Sequence, residues 1–475
     1  MNLSALGIDV YQLTTLAAHA RAGRLGHRIA MACFFRKMPR HRNYVVFAGL
    51  RQVLDWCREL RLDEESLRVI ERHPVVGPAL RQSPEMGRAL AEVGARGFEG
   101  DIDAVAEGTL AFAGPGRTTS GEPLMVGGAP LSLYTPLLQV RTDMTRAKLL
   151  ETPWLARVNH MSMVASKAAR VVTAAAGRPV LEFGQRRTHP AAAIDASYAA
   201  YMAGCSATSN LAAEALYAIP SSGTMDHFAV QASEEPGVPP ERTEQAIFKA
   251  LVDLYPESNA LLVDTYDTEA GTISAARTGR ERLRAIRLDS NVTPELVRRA
   301  RQLLDENGAP QAKIFVSDGL DEWRVRELGA AGADGFGVGE NITCSPDSPV
   351  GVGCVGKIVV NGYGKPTMKI SKGSGKATLP GWLQVFRAAD HDLVALEGEP
   401  CPAGSRPLLV PVWRGNAPAP DLPSLAGARA HVARQIALLP EHLQDLPVDH
   451  GRPWSLVASD RLVDLVRKLA KEAAP

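Results

Sequence analysis

The fold is decided by residues 285–319, which read AIRLDSNVTPELVRRARQLLDENGAPQAKIFVSDG. Two short apolar runs at its ends, AIRLDS (285–290) and AKIFVSDG (312–319), have the length and composition of buried β-strands. The segment between them, PELVRRARQLLDENG (294–308), is predicted to form a helix. A strand, a helix and a second strand in this order indicate two parallel strands joined by a right-handed crossover.

The same alternation extends over the second half of the chain. An alanine-rich helix is predicted over residues 161–176, and strand candidates follow it. Besides the two above, the candidates are PVLEF (179–183), the stretch into CSATSN (205–210), ALYAIPSSGT (215–224), ALLVDTYDT (260–268) and GFGVGE (335–340). Polar residues at or just past the strand ends are Arg186, Ser209, His227, Asp264, Asp289 and Asp318. In a barrel of parallel strands this rim carries the chemistry, and six such residues are too many to explain as helix caps alone.

The two ends of the chain have a different pattern. A helix is predicted over residues 10–22, a buried strand over 29–35, and an amphipathic helix over 45–60. Short strands with glycine and proline between them follow over 107–140 and suggest a mostly antiparallel module. From about residue 350 the chain returns to short strands and ends in helices. We therefore predict an N-terminal α+β domain (1–145), an irregular α/β barrel (146–345) and C-terminal strands and helices that pack on the first domain (346–475).

Composition narrows the class of protein. The 475 residues are 45% hydrophobic and 22% charged with a formal net charge of +1, so no charge excess favours nucleic acid or a membrane surface. No apolar run approaches the roughly 20 residues needed to span a bilayer, and the N-terminus lacks the features of a signal peptide. The six cysteines are scattered without a CxxC pair, which argues against zinc or disulfides and fits a reducing cytoplasm. We predict a soluble cytoplasmic enzyme.

One segment indicates a ligand. LEFGQRRTHP (181–190) places a phenylalanine and two adjacent arginines where the chain leaves a strand. Arginine's planar fork suits a carboxylate or a phosphate, and an aromatic ring can stack on a flat ligand. A surface loop with one anchoring aromatic residue would give the same pattern, so both interpretations stay open from this segment alone.

Several segments match, in order, the sequence signatures of one known family. The segments are DVYQLT (9–14), FFRKMPRHRNYVVFAGL (34–50), LLETPWLARVNHMSMVASKAARVV (149–172) leading into LEFGQRR, GTMDHF (223–228), LVDTYDT (262–268), SDGLDE (317–322), GFGVGE (335–340) and KIVVNGYGKPTMKISKGSGKATLPG (357–381). Each is weak alone, but together they resemble the nicotinate phosphoribosyltransferases from Asp9 to the end of the chain. The resemblance implies an incomplete α/β barrel beside an N-terminal domain. It also implies a reaction of nicotinate with 5-phosphoribosyl 1-diphosphate, coupled to ATP hydrolysis, in a head-to-tail homodimer that shares its active sites.

The resemblance also assigns residues to the pyridine base. Phe183 would lie on one face of nicotinate, and Tyr11 of the partner subunit on the other. Arg186 would pair with the carboxylate. At the position of Ser209 an acidic residue would accept the N–H of an amide, so a serine there favours nicotinate over nicotinamide. Arg287 is a further substrate-binding candidate. His227 would be phosphorylated by ATP and so act as a catalytic residue, whereas His160 and His189 are interpreted as structural.

The phosphoribosyl donor has its own predicted residues. Departure of diphosphate needs a metal ion and cations, and Asp264 and Asp289 are the catalytic carboxylates predicted to hold Mg²⁺ or the ribose hydroxyls. The predicted phosphate-binding residues are Arg36, Lys37, Arg187, Asp318, Gly319, Gly337, Gly339, Lys369 and Lys372. The last two lysines also fit a solvated or protected strand edge. The small residues would let backbone N–H groups approach the anion.

Two positions depart from the family pattern. The family commonly carries LDSGD where this chain reads LDSNV (288–292), so a glycine and a second acidic residue are lost. Phe228 stands beside His227, where many members carry a small or hydroxylated residue. Alternatives that stay open are a phosphoribosyltransferase for nicotinamide or quinolinate, and a non-catalytic paralogue that binds nucleotide. Quinolinate would require a second carboxylate clamp, and retention of GTMDHF argues against it.

Overall fold

The computed structural model describes residues 3–347, 351–371, 373, 375–448 and 452–473. The chain divides into two compact units, Met1–Met163 together with Ser348–Pro475, and Val164–Asp347. The predicted division into 1–145, 146–345 and 346–475 stays a prediction. The two ends of the chain share the first unit, and the second unit holds the α/β region.

The N-terminal part of the chain contains seven of the described helices and ten short strands. They are α1 (Leu3–Leu6), α2 (Val10–Arg21), β1 (Arg28–Phe34), β2 (Val45–Val46), α3 (Leu50–Glu59), α4 (Glu64–Arg72), α5 (Val76–Gln82), α6 (Pro84–Arg96), β3 (Asp101–Val105), β4 (Leu110–Ala111), β5 (Ala113–Pro115), β6 (Arg117–Thr118), β7 (Met125–Val126), β8 (Ala129–Pro130), β9 (Ser132–Tyr134), β10 (Leu138–Asp143) and α7 (Met144–Ala174).

Strands and helices alternate in the second unit. They are β11 (Val180–Glu182), α8 (Pro190–Met202), β12 (Ala207–Thr208), α9 (Leu211–Tyr217), α10 (His227–Gln231), α11 (Pro240–Leu254), β13 (Ala260–Leu262), α12 (Thr268–Gly279), β14 (Ala285–Leu288), α13 (Pro294–Glu306), β15 (Lys313–Val316), α14 (Glu322–Ala330), β16 (Gly335–Val338) and α15 (Glu340–Thr343). Single turns of 3₁₀ helix occur at Gln185–Arg187 and Arg280–Arg282.

The C-terminal part returns to strands. Its elements are β17 (Val355–Val360), β18 (Leu383–Arg387), β19 (His391–Leu396), β20 (Arg406–Pro407), β21 (Leu409–Arg414), β22 (Ala417–Pro418), α16 (Leu425–Leu438), α17 (Glu441–Gln444), β23 (Ser455–Ala458) and α18 (Asp460–Glu472).

Six parallel strands form the sheet of the second unit, in the order β12-β11-β16-β15-β14-β13. The two end strands, β12 and β13, do not pair with each other, so the barrel is incomplete as predicted. Buried apolar side chains such as Val180, Ile286 and Ile314 line the strands, which explains why these segments read as continuous apolar runs. All C-terminal ends of the strands lie at the same edge of the sheet.

Helix caps follow the strands closely in sequence. Asp267, Thr293 and Asp321 each accept a backbone N–H at the start of the next helix, α12, α13 and α14 respectively. Asn210 caps α9 in the same way. These caps stabilise the short connections. The polar residues at the strand ends that do not cap a helix are available for other roles.

Both ends of the chain contribute to the sheets of the first unit. The order β17-β1-β10-β3-β21-β22 interleaves C-terminal strands with N-terminal ones, and every pairing in it is antiparallel. A second sheet, β20-β18-β19-β23-β6, is formed by C-terminal strands and the short β6 of the N-terminal part. The Phe34 and Tyr134 rings stack in the core of this unit with centroids 3.7 Å apart.

Three predicted elements differ from the structure. The helix predicted over 45–60 begins only at Leu50, because Val45–Val46 form β2 and Gly49 takes a left-handed conformation with φ of 104°. The helix predicted at 161–176 begins at Met144, because α7 continues through Pro153 rather than stopping there. The strand predicted at 215–224 is wrong. Asn210 starts a helix instead, α9 ends at Ala218 in the left-handed conformation, and only an isolated bridge between Thr208 and Ser221 remains.

None of the helices in the described part of the chain combines the length and the apolar character that crossing a membrane requires. None of the six cysteines, all of them within the described ranges, forms a disulfide bond.

Candidate active site

A cavity of about 1150 Å³ lies at the C-terminal ends of the parallel strands. Its walls come entirely from the second unit. The predicted residues that line it are Phe183, Arg186, Arg187, Ser209, His227, Arg287, Asp289, Asp318, Gly319, Gly337 and Gly339. The structure therefore brings together, within one space, most of the residues that the sequence singled out in this unit.

The turn after β11 presents the aromatic ring and the two arginines. Phe183 donates its N–H to the carbonyl of Val338 at 2.9 Å and is half-buried. The 3₁₀ turn that follows carries Arg186 and Arg187 as exposed side chains at the cavity wall. Gly337 makes room for the ring, because a Cβ at that position would lie 2.4 Å from two ring carbons of Phe183. The side chain missing at Gly337 therefore determines where the ring lies.

Two carboxylates lie beside His227, and one of them, Asp289, lines the cavity, whereas the predicted residue Asp264 does not. Asp264 follows β13 and has a side chain only 2% exposed, and its Oδ2 accepts the backbone N–H of Asp289 at 2.9 Å. Asp289 follows β14 and accepts a hydrogen bond from the Ser317 hydroxyl at 2.7 Å. The Oδ1 atom of Asp264 is buried without a hydrogen-bond partner. A buried oxygen of this kind is costly unless something binds it.

His227 reaches these carboxylates from the long connection between the two edge strands. It is the first residue of α10, so the prediction that it follows a strand was wrong. Its Nε2 lies 3.9 Å from Asp264 Oδ1 and 4.0 Å from Asp289 Oδ2. Its Nδ1 is 3.2 Å from the Thr265 hydroxyl, which fixes the plane of the ring. One ring nitrogen therefore has a neutral partner and the other faces two acids.

Arg287 is a residue of β14 that lines the same cavity. Its Nη1 donates to the Thr224 hydroxyl at 2.7 Å, and its Nε is buried without a partner. Burial lowers the pKa of Arg287, while the charges of Asp289 and Asp264 act in the opposite direction. The guanidinium remains charged at neutral pH and can donate to a ligand.

The segment LDSNV (288–292), which departs from the family pattern, keeps the backbone conformation that a glycine at residue 291 would allow. Asn291 takes a left-handed conformation with φ of 50°, and asparagine is among the residues that tolerate this region best. Val292 is buried, and its N–H donates to Asp318 Oδ2 at 2.9 Å. Its carbonyl accepts from the Arg324 side chain. The Asp318 carboxylate thus joins two neighbouring loops.

The loop after β15 is held by a residue that sequence reasoning missed. Asn341 Nδ2 donates to the carbonyls of Gly319 and Leu320, both at 3.0 Å. Gly319 has a positive φ of 55°, a conformation that glycine adopts without strain. With two carbonyls taken up by Asn341, the loop is fixed at the cavity wall.

Similarity to known proteins identifies the family. Residues 6–114 match a family model described as the nicotinate phosphoribosyltransferase N-terminal domain, and residues 164–347 match the quinolinate phosphoribosyl transferase C-terminal domain. The chain is 38% identical to nicotinate phosphoribosyltransferase pncB2 of Mycobacterium tuberculosis over 98% of this chain and 94% of that protein. The chain belongs to the nicotinate phosphoribosyltransferase family. A second relative from that organism, nicotinate phosphoribosyltransferase pncB1, is 35% identical over 91% of this chain and 90% of its own length.

A solved structure agrees with this family membership. The crystal structure of human nicotinic acid phosphoribosyltransferase superposes with a TM-score of 0.76 and 25% identity, covering 97% of this chain and 99% of that one. The α/β fold with a six-stranded parallel half-barrel and a mixed N-terminal domain is the fold of nicotinate phosphoribosyltransferases. The predicted fold class and family are therefore confirmed.

The predicted residues of the first unit that the structure describes are not part of the cavity lining. Tyr11 on α2 and Lys37 are exposed in the first unit. Arg36 is half-buried there, with its guanidinium carbon 5.5 Å from the centre of the Phe34 ring and its Nε buried without a partner. Lys369 also lies in the first unit, whereas Lys372 lies outside the described residues.

His160 and His189, interpreted as structural, take no part in the lining of the cavity. His189 caps α8, with Nδ1 accepting the N–H of Ala191 at 3.3 Å. His160 lies on α7, and burial lowers its pKa. Phe228 does line the cavity, with a ring 73% exposed beside His227.

Several buried or half-buried residues that support the site have no motif of their own. Glu182, Thr265 and Ser317 each form hydrogen bonds to predicted site residues or to the turns that carry them. Glu244 on α11 is buried with an unpartnered Oε1, and burial, followed by the charge of Asp264, raises its pKa to about 7. The sequence signal for such a residue was a charged or hydroxylated side chain inside an otherwise apolar segment. That signal does not show which residue the side chain contacts.

The donor set fits a hard cation bound together with substrate. Within the described ranges, no group of three or more His, Cys, Asp or Glu side chains could hold a metal ion by itself. Mg²⁺ is commonly bound by one or two carboxylates plus substrate phosphates. The unpartnered oxygen of Asp264 and the half-buried carboxylate of Asp289 suit that arrangement.

Proposed function

We propose that this chain is a nicotinate phosphoribosyltransferase, which joins nicotinate to 5-phosphoribosyl 1-diphosphate and releases nicotinate mononucleotide and diphosphate. One observation supports this most directly. A single cavity is lined by an aromatic ring and an arginine after β11, and by His227 and the half-buried carboxylate of Asp289 after β14, with the buried carboxylate of Asp264 beside them. The likeness to relatives over almost the whole chain points to the same reaction.

The base would bind at the turn after β11. Phe183 offers its ring to one face of the pyridine, and Arg186 pairs with the carboxylate in a bidentate manner. Ser209 follows β12, is exposed, and donates its backbone N–H to the carbonyl of Glu182 at 3.0 Å. A hydroxyl at this place tolerates a carboxylate, whereas the amide of nicotinamide would lack an acidic acceptor. These groups favour nicotinate over nicotinamide.

The donor would bind towards the carboxylates. As diphosphate departs, the ribose carbon gains positive charge, which nearby carboxylates stabilise. We assign Asp264 and Asp289 to Mg²⁺ and to the ribose hydroxyls, and when bound the ion would neutralise charge on the leaving diphosphate. Arg187, Gly319, Gly337 and Gly339 are proposed phosphate contacts, with Asp318 holding the adjoining loop. Arg287 would donate to a bound substrate.

His227 would couple the reaction to ATP. A ring nitrogen would attack the γ-phosphorus of ATP, so that an N–P bond forms while the bond to the bridging oxygen breaks and ADP leaves. The phosphorylated enzyme would bind the donor more tightly. Thr265 orients the ring, and the two aspartates face the other nitrogen. A phosphoryl group next to two carboxylates is repelled unless a cation lies between them, which agrees with the need for Mg²⁺.

The active unit would be a homodimer with shared sites. Tyr11, Arg36 and Lys37 would come from the partner subunit, Tyr11 covering the second face of the base and the two cations contacting phosphates. Lys369 is proposed as a further phosphate contact. Lys372 belongs to the same proposal. The exposed Tyr11 and Lys37 side chains are available for such contacts. We further propose a cytoplasmic role in NAD salvage, with no nucleic acid or membrane partner.

The test uses purified protein with the phosphoribosyl donor, Mg²⁺ and either nicotinate or nicotinamide, with and without ATP. Product mononucleotide is followed by chromatography. We expect nicotinate mononucleotide, more of it with ATP, and loss of the ATP effect in His227→Ala. The matched control is His189→Asn, which keeps the cap on α8 and should behave as wild type. Product from nicotinamide would contradict the role of Ser209. Donor binding without product from either base would support the non-catalytic alternative.

A further inference from the structure

A buried carboxylate lies under the turn that carries the proposed base-binding residues. Glu182 is only 1% exposed, and all its partners in the described part of the chain are neutral donors. Burial of an ionised carboxylate is strongly unfavourable unless hydrogen bonds replace its hydration. Both carboxylate oxygens of Glu182 therefore require hydrogen-bond donors from the protein.

Four donors supply those hydrogen bonds. On one side, Oε1 accepts the N–H of Gly184 and the Thr343 hydroxyl, the latter at 3.2 Å. On the other side, Oε2 accepts the hydroxyls of Ser197 at 2.9 Å and Thr208 at 2.7 Å. The donors belong to the turn after β11, to α15, to α8 and to β12. One side chain thus connects four separate elements.

Two of these connections lead directly to the base side of the cavity. The Gly184 N–H starts the 3₁₀ turn that carries Arg186, and the main-chain carbonyl of Glu182 accepts the N–H of Ser209. The turn packs closely against α15, because a Cβ on Gly184 would lie 1.6 Å from the Thr343 hydroxyl oxygen.

We propose that Glu182 is a positioning residue that fixes Phe183, Arg186 and Ser209 in one arrangement, complementary to a flat ring bearing a carboxylate. This inference rests on the proposed function, because that function supplies the ligand. Glu182 does not touch the base. It acts through the Gly184 N–H and through the end of β12, and a displacement there moves the ring, the guanidinium and the hydroxyl together.

The effect is expected to be selective for the base. The proposed donor-side residues Asp264, Asp289 and Asp318 are held by hydrogen bonds among the loops after β13, β14 and β15. None of the hydrogen bonds of Glu182 in the described chain reaches those loops. Arg187, a proposed phosphate contact, lies on the same 3₁₀ turn as Arg186. Loss of Glu182 should therefore weaken nicotinate binding strongly and donor binding less.

Two substitutions separate geometry from charge. In Glu182→Gln the amide oxygen can keep the Oε1 contacts, while the amide N–H groups face the Ser197 and Thr208 hydroxyls, which can rotate to accept. Glu182→Asp keeps the charge, but it is one methylene shorter and cannot satisfy both sides. We expect Glu182→Asp to raise the nicotinate KM and Kd about 10-fold, the effect of one lost hydrogen bond, and Glu182→Gln to change them by less than about 3-fold.

The experiment measures kinetics with each substrate varied in turn and nicotinate binding by calorimetry, with thermal unfolding of every variant. Asp392→Asn is the control, since it alters a fully buried carboxylate, paired with Arg387, in the other unit. It should lower the melting temperature without a selective change in nicotinate affinity. If Glu182→Asp does not fold, Thr343→Val removes one Oε1 donor and should raise the nicotinate KM about 3-fold.

The outcomes separate the two proposals. A nicotinate KM that is unchanged in Glu182→Asp, or a rise shared equally by both substrates, would overturn the positioning role. If wild-type protein forms no mononucleotide but binds nicotinate, the proposed function fails, and a 10-fold loss of binding in Glu182→Asp would still support the positioning role. Absence of nicotinate binding by wild-type protein would overturn both.

Discussion

Replacing Gly337 with alanine should damage base binding more than folding. A Cβ at residue 337 would lie 2.4 Å from two ring carbons of Phe183 and 3.2 Å from Ser317 Cβ. Carbon atoms in contact prefer about 3.5–4.0 Å, so the ring must move by more than about 1 Å. Phe183 is half-buried and lines the cavity, so the movement is directed into the space that the pyridine would occupy.

The size of the effect follows from what the ring contributes. A stacked aromatic pair contributes about 0.5–1.5 kcal/mol, so loss of the stack should raise the nicotinate KM roughly 2- to 12-fold. If the ring cannot move, the strain appears instead as about 1–3 kcal/mol of lost stability. Both quantities are measurable, the first by steady-state kinetics at saturating donor and the second by chemical denaturation.

Gly339→Ala provides the matched control. A Cβ there would have its nearest atom, the Phe183 carbonyl oxygen, at 3.3 Å, a tight but tolerable contact. We expect a nicotinate KM close to that of wild type in this variant. A Gly337→Ala protein with wild-type stability and wild-type nicotinate KM would refute the argument that Gly337 sets the position of the ring.

Two further predictions concern stability. Asn291→Val should destabilise the protein by about 1–2 kcal/mol in denaturant unfolding, because a β-branched residue is strained at φ of 50°, whereas Asn291→Gly should be nearly neutral; equal effects would contradict the backbone argument. Burial and three neighbouring arginines lower the pKa of His431 to about 4, so its contribution is complete above about pH 6.5 and is lost as pH falls towards 4. This loss should reach about 1–2 kcal/mol after allowance for partial exposure, and His431→Gln should remove it; parallel pH curves for variant and wild type would show the assignment wrong.

The parallel sheet could be predicted because its information is local. The strands around Val180, Leu261, Ile286, Ile314 and Phe336 are short apolar runs that alternate with helices, and each is buried in the structure. The strand predicted at 215–224 failed for a local reason too. Asn210 caps α9, whose C-terminal residues Leu216 and Tyr217 belong to the apolar run LYAIP, and composition alone does not separate a short apolar helix from a strand.

The site was predictable to the extent that it follows from topology. Parallel strands bring their C-terminal ends to one edge, so Arg186, Ser209, Asp289 and Asp318 line one cavity although up to 132 residues separate them in sequence. His227 could not be placed by that rule, since it begins a helix in the connection between edge strands.

Supporting contacts could not be predicted, because they depend on tertiary packing. Nothing in the sequence pairs Glu182 with Thr343, which is 161 residues away. The departure at 288–292 had an ambiguous meaning until Asn291 was seen to keep a left-handed backbone and Val292 to give its N–H to Asp318. A carboxylate predicted near phosphate thus also has a mechanical role between loops.

The edge strands of the half-barrel, β12 and β13, are joined by the polypeptide but do not pair with each other. Hydrogen bonds join neighbouring strands in the order β12, β11, β16, β15, β14 and β13. The polypeptide runs from β12 to β13 by a connection that lies outside these six strands. Residues 231–242, on this connection, are all exposed. A protease that nicked the chain there would cut no strand pairing, so the sheet could persist as two associated fragments. His227 would lie on one fragment and the aspartates that face it on the other.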